Sequence, residues 1–131
     1  IAPTLTRFLS RHLFPPGGIL LTDWGPTHDR WFRSGREHKL DNLRRLATEF
    51  PQVRWLLIGD DGQHDEAIYT EFAKQHPGHV AAVAIRRLST TEAVLAGGRQ
   101  TVDDHSDAQA PWVTASDGAG ILDKLENAGI V

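Results

Sequence analysis

The 131 residues contain no cysteine, which excludes a disulfide framework, a zinc–thiolate centre and a cysteine nucleophile. Methionine is also absent and the first residue is Ile1, so the chain is expected to be a piece of something longer. No apolar run approaches the roughly 20 residues that a membrane span requires, and no charged-then-apolar leader opens the sequence. Positive charge is not in excess. Fourteen Lys and Arg face 17 Asp and Glu, a formal net charge of −3, which argues against the basic face that nucleic-acid binding needs. Internal repeats are absent too. The length fits one domain, large enough to bury roughly two-thirds of its unfolded surface without a metal or disulfide staple.

What is present alternates between short apolar runs and amphipathic segments. Residues 3–13 carry Leu5, Phe8, Leu9 and His12 at near-helical spacing, with Pro3 tolerated in a first turn. Pro15-Pro16-Gly17-Gly18 stops that helix, and residues 19–22 form a continuous apolar run of the kind a buried strand shows. Residues 23–33 read as a loop rich in aromatics: Trp24, Trp31 and Phe32. Ser34 and Glu37 have capping-box spacing and predict a helix start, with Leu43, Leu46 and Phe50 on one stripe, Leu40 and Ala47 beside it, and a stop at Pro51. Residues 53–58 are the clearest strand, ended by Gly59-Asp60-Asp61-Gly62. Asp65 is placed to cap a helix that runs to His76, with Ile68, Tyr69, Phe72 and Ala73 turned inward. Residues 80–85 predict a second buried strand and residues 91–96 a short helix. Residues 112–115 and 117–128 predict a last strand and helix, after a polar stretch without period over 97–111. Apolar strands alternating with amphipathic helices define an α/β fold with a mainly parallel sheet.

In such sheets ligands bind beyond the carboxyl ends of the strands. There the sequence places Asp60, Asp61 and Asp65 within one glycine-containing turn. Unit charges about 4 Å apart repel by roughly 4 kcal/mol at an effective dielectric near 20, so the cluster points to a cation. Mg²⁺ favours oxygen ligands and needs only one or two carboxylates. Ordinary turn chemistry for Asp60 and Asp61, and helix capping for Asp65, remain open alternatives. Lys39 shares the stripe of Leu43, Leu46 and Phe50, yet falls in the first turn of the expected helix. That end stands at the sheet edge where the acids emerge. It is positioned to neutralise carboxylates or a phosphoryl group, or to snorkel with its head in water. The seven histidines are scattered and no His-Glu-x-x-His is present, which disfavours zinc. Asp103-Asp104-His105-Ser106-Asp107 lacks the glycine and terminal glutamate of a calcium loop.

Three segments, Leu20 to Thr27, Trp31 to Lys39 and Trp55 to Asp65, together resemble the catalytic domain of the actin-patch-associated phosphatidate phosphatases. That family lies in the haloacid dehalogenase superfamily, and its bacterial relatives are mostly uncharacterised. The resemblance covers residues 1–97. It implies a haloacid-dehalogenase-like (Rossmann-like) core over 1–97, a linker over 98–111 and a strand–helix extension over 112–131. Lys39 matches the lysine that steadies the nucleophile and the transferred phosphoryl group. Asp60 and Asp61 match the acids that hold Mg²⁺, and Asp65 an outer-shell member. The implied reaction is two-step hydrolysis of a phosphomonoester, in the fungal relatives phosphatidate, through an aspartyl-phosphate. The implied location is the cytoplasm or its membrane surface.

The departure from the pattern carries as much information. The family's nucleophile lies in an Asp-x-Asp on the first strand, and no Asp-x-Asp occurs in the 131 residues. The resemblance therefore implies that the first two core strands lie upstream, that the chain alone is inactive, and that residues 19–22 and 53–58 would flank the missing pair. An edge left open at 53–58 would then favour association through strand pairing. A non-catalytic α/β interaction module built on the same fold is the main alternative. A phosphoacceptor signalling domain fits less well, because the strand at 80–85 leads only to Arg86-Arg87.

Overall fold

The computed structural model describes residues 2–20, 28–62, 64–98 and 109–131, and the side chains of 2 and 28–34 fall outside that description. Trp24, the side chains of Trp31 and Phe32, and residues 103–107 therefore lie outside the described set. The chain divides into two compact units, Ile1–His38 and Lys39–Val131.

In the first unit, α1 spans Ala2–Arg11. The Phe14 amide donates to the Leu9 carbonyl at 3.0 Å, folding the following segment back on the helix. A groove of about 510 Å³ is left between Thr6, Leu9 and Ser10 and residues 14–19. The expectation of a strand at 19–22 fails where it can be checked: Ile19 and Leu20 are exposed and carry no strand. An apolar run of four specifies a strand only when a neighbour supplies the ladder.

Helix α2 spans His28–Glu49 and crosses the boundary between the units. It corrects two expectations. Residues 28–33 are helix rather than loop, and Ser34 and Glu37 are interior positions rather than a cap. Once a helix already runs through His28, the amides near Ser34 find carbonyls four residues back and need no side-chain cap. Gly35 costs roughly 1 kcal/mol there relative to alanine, and the strong helix formers that follow outweigh it. Lys39 consequently sits in mid-helix. The buried stripe is Leu40 and Ala47 with Leu43 packed beside them, while Phe50 is exposed.

The second unit is built on three parallel strands in the order β1-β2-β3, with β1 at Trp55–Asp60, β2 at Val80–Arg86 and β3 at Trp112–Ala115. Helix α3, Asp65–Gln75, crosses from β1 to β2. Helix α4, Thr90–Leu95, follows β2, and Ser89 and Glu92 close a capping box at its start. Helix α5, Gly118–Asn127, follows β3 and is capped by the Asp117 carboxylate on the Gly120 amide. These elements match the sequence expectation within a residue or two.

Side-chain alternation along the strands sorts the core into two layers. Leu57, Val83 and Ile85 pack with Ile68, Phe72 and Ala73 of α3 and with Leu40 and Ala47 of α2. Ala82 and Ala84 face the opposite way, onto Ile121 and Leu125 of α5. Because both faces of β2 are covered, its sequence is apolar without alternation. Arg44 of α2 reaches across to Gln75 at 2.9 Å and Glu71 at 3.4 Å, fixing α2 against α3.

Strand β1 is an edge among the described residues, and its Ile58 side chain is 58% exposed. The edge is shorter than the strand. The Tyr69 hydroxyl donates to the Ile58 carbonyl at 2.9 Å, and the Asp60 amide donates to Asp65 Oδ2 at 3.2 Å. Two side chains of α3 thus satisfy backbone groups that a further strand would need.

Phe72 is fully buried between α3 and the sheet. Phe72→Ala is expected to lower stability by about 3–5 kcal/mol, the usual cost of a phenylalanine-sized deletion in a core, read as a lowered urea midpoint at unchanged slope.

Candidate active site

The site lies at the carboxyl ends of β1 and β2 and starts from a close approach. Gly59 sits where α3 begins: a Cβ built there would lie 2.5 Å from Asp65 Oδ2 and 2.7 Å from Asp65 Cβ. Only glycine lets the first residue of α3 touch the strand. The turn that connects them places His64, the helix N-cap, in the left-handed region at φ 61°, a conformation histidine adopts more readily than most residues. Asp65 is therefore the first helical residue and not the cap expected from its position. This leaves its carboxylate available for tertiary contacts.

Both its oxygens are engaged. Asp65 Oδ1 accepts from Lys39 Nζ at 2.6 Å and Oδ2 accepts from the Asp60 amide. The lysine is 45% exposed and the carboxylate 8%, so the charged pair has one face toward water. Sequence reasoning placed Lys39 at this rim by putting it in the first turn of its helix. The structure brings it there from the middle of α2.

Asp60 closes its own turn, with Oδ1 accepting from the Gly62 amide at 2.8 Å. Among the described residues no hydrogen bond reaches its Oδ2. Asp61 points elsewhere. It is 1% exposed, its Oδ1 accepts from the Leu88 amide at 2.9 Å, and its Oδ2 lies 3.7 Å from Arg87 Nη1. Gly62 is required behind it, because a Cβ there would meet Leu88 Cδ1 at 2.6 Å and Ala96 Cβ at 2.9 Å. Of the four residues singled out in the sequence, Lys39, Asp60 and Asp65 converge, and Asp61 turns into the protein.

Sequence reasoning took Tyr69 for a core residue and missed its place in this site. Burial raises the pKa of its hydroxyl most, with the Asp65 and then the Asp60 charge adding to the rise. The signal was its spacing: four residues after Asp65, Tyr69 lies on the same helical face.

The donor set suits a hard cation held sparsely. Asp60 offers a carboxylate oxygen, while Asp61 and Asp65 are already engaged by protein donors. No group of three or more His, Asp or Glu able to hold a metal occurs among the described residues. One carboxylate oxygen is within what Mg²⁺ takes from a protein, since that ion keeps several waters.

A lysine–carboxylate pair and an acid with one oxygen not hydrogen-bonded among the described residues thus lie at the carboxyl rim of a parallel sheet. Residues 1–87 match the family model described as "Phosphatidate phosphatase APP1, catalytic domain", and the chain belongs to that family. "Phosphatidate phosphatase APP1" of Saccharomyces cerevisiae is 33% identical over 79 residues, which make up 60% of this chain and 14% of the yeast protein. The chain therefore spans a small part of that relative's length. No solved structure matches the chain. Lys39, Asp60, Asp61, Asp65 and Tyr69 all fall within the matched range.

Two measurements check this geometry. Gly59→Ala is expected to push Asp65 off β1 and cost about 1–3 kcal/mol, as overpacking does, with the loss read in thermal unfolding. The second uses the single tyrosine of the chain. Its folded pKa lies above the ordinary value of 10.0, so the unfolded state loses its proton first as pH rises. Stability is then unaffected by this group below pH 10 and falls above it. Absorbance at 295 nm should show no tyrosinate near pH 10 while the fold persists.

Proposed function

We propose that this chain supplies the phosphate-steadying lysine and the cation-holding acid of a Mg²⁺-dependent phosphatase. Its substrate is a lipid phosphomonoester, phosphatidate, cleaved to diacylglycerol and inorganic phosphate. The observation that carries the reading is the Lys39 Nζ to Asp65 Oδ1 contact of 2.6 Å beside Asp60, in a chain of the phosphatidate phosphatase family. The name of the yeast relative supports the substrate class.

Each residue has a physical task in this reading. Asp65 holds the Lys39 ammonium at the rim by charge-assisted hydrogen bonding, leaving two of its three donors for phosphoryl oxygens. Asp60 presents Oδ2 as the direct cation ligand. Asp61 adds negative charge behind the turn without offering an oxygen to the front. Tyr69 stays protonated, so no second anion forms beside the carboxylates. Mg²⁺, when bound, would offset charge on the phosphoryl oxygens.

The reading extends to parts outside these residues. The sheet would belong to a haloacid-dehalogenase-like core, completed by strands that bear the Asp-x-Asp nucleophile and acid/base pair. The 131 residues contain no such motif. No described helix is long and apolar enough to cross a membrane, and a peripheral position at a lipid surface agrees with a lipid substrate.

The test is twofold. Titration calorimetry should show Mg²⁺ binding to the chain that Asp60→Asn removes, and phosphate release from phosphatidate in detergent micelles should be absent. Unchanged Mg²⁺ affinity in Asp60→Asn overturns the assignment of the acid. Mg²⁺-dependent release of phosphate by the 131 residues overturns the external nucleophile.

A further inference from the structure

Four acids leave β1 and enter α3, and two cations sort them. Asp60 and Asp65 are joined through the Asp60 amide, and Asp65 is paired with Lys39. Asp61 and Glu66, each one residue later, are 1% and 0% exposed and turn toward the exit of β2. There the Arg87 guanidinium reaches both: its Nη1 lies 2.5 Å from Glu66 Oε1 and 3.7 Å from Asp61 Oδ2. Arg87 is itself anchored, because its amide donates to the Ala115 carbonyl of β3 at 2.7 Å.

We propose that Arg87 is the positioning residue of the acid site: by holding Asp61 and Glu66 behind the turn, it fixes Asp60 and Asp65 at the front. Two buried carboxylates share this cation, and removing it withdraws a buried ion-pair partner from each. The chain relieves that by turning one acid out toward water. Asp61 is covalently next to Asp60, and Glu66 next to Asp65, so either movement displaces a front acid. The Leu88 amide, held by Asp61 Oδ1, and the Gly62 amide, held by Asp60 Oδ1, report on the two sides of the turn. Lysine in place of Arg87 retains the charge on a stem of comparable reach. Both recorded contacts come from one nitrogen, so a single ammonium can reproduce them.

The inference rests on the cation role proposed for Asp60, and the experiment separates the two. Arg87→Met and Arg87→Lys are made in the full chain, and Mg²⁺ affinity is measured by calorimetry alongside amide exchange at Gly62 and Leu88 by NMR. Arg87→Met is expected to weaken Mg²⁺ binding about tenfold and to speed exchange at both amides, while Arg87→Lys recovers most of each. A stable Arg87→Met chain with unchanged affinity and unchanged protection overturns the inference. If Arg87→Met fails to fold, Glu66→Leu/Arg87→Met removes one buried charge with its partner. Weakened affinity and fast Gly62 exchange in that folded double variant support the proposal, and wild-type values overturn it. Absence of Mg²⁺ binding in the unaltered chain would defeat the cation role of Asp60 alone, since amide protection still decides on Arg87.

Discussion

The carboxylate of Asp65 is the contact on which the rest of the site depends. One oxygen holds Lys39 from α2 and the other holds the last residue of β1, so a single side chain ties helix, strand and the start of α3 together. It can do so because Gly59 has no side chain and because His64, in a left-handed conformation, ends the turn in its place. Any side chain at 59 would set α3 back from the strand. The functional geometry and the packing of α3 are thus one constraint, met at one point in the chain.

Much of this was legible in the sequence, and the parts that were not have physical causes. The strands at β1, β2 and β3 and the helices α3, α4 and α5 announced themselves because short apolar runs alternate with amphipathic segments there, with breaks such as Gly59-Asp60-Asp61-Gly62 and Pro77-Gly78 between them. Lys39 was expected at the rim from a first-turn position, and it meets Asp65 from mid-helix instead. The start of α2 was misplaced because local spacing does not show whether a turn precedes it. Ser34 and Glu37 have the spacing of a cap, but a cap acts only where no preceding turn supplies the carbonyls. Residues 19 and 20 show the converse: apolar content without a ladder does not make a strand.

The division of labour among the acids could not be read from composition. Adjacent aspartates at 60 and 61 look equivalent on paper, yet in space their side chains diverge, one to the rim and the other to Leu88 and Arg87. What separates them is the position of the cations, which come from α2 and from the end of β2. Tyr69 was read as core for a similar reason. Its ring does pack against the apolar cluster, while its hydroxyl reaches the backbone of β1. Membership of the phosphatidate phosphatase family covers residues 1–87, which include Lys39, Asp60, Asp61, Asp65, Tyr69 and Arg87, with Leu88 just beyond. Strand β3 and helix α5, which lie beyond that range, close the far side of the sheet.

The Ile58 carbonyl and the Asp60 amide are committed to Tyr69 and Asp65. A strand laid alongside β1 would find open hydrogen-bonding groups only toward its Trp55 end. Extending the ladder to the Asp60 end would require α3 to let go of both atoms, loosening the carboxylate that restrains Lys39. Pairing confined to the Trp55 half leaves both atoms, and the charged rim they align, undisturbed.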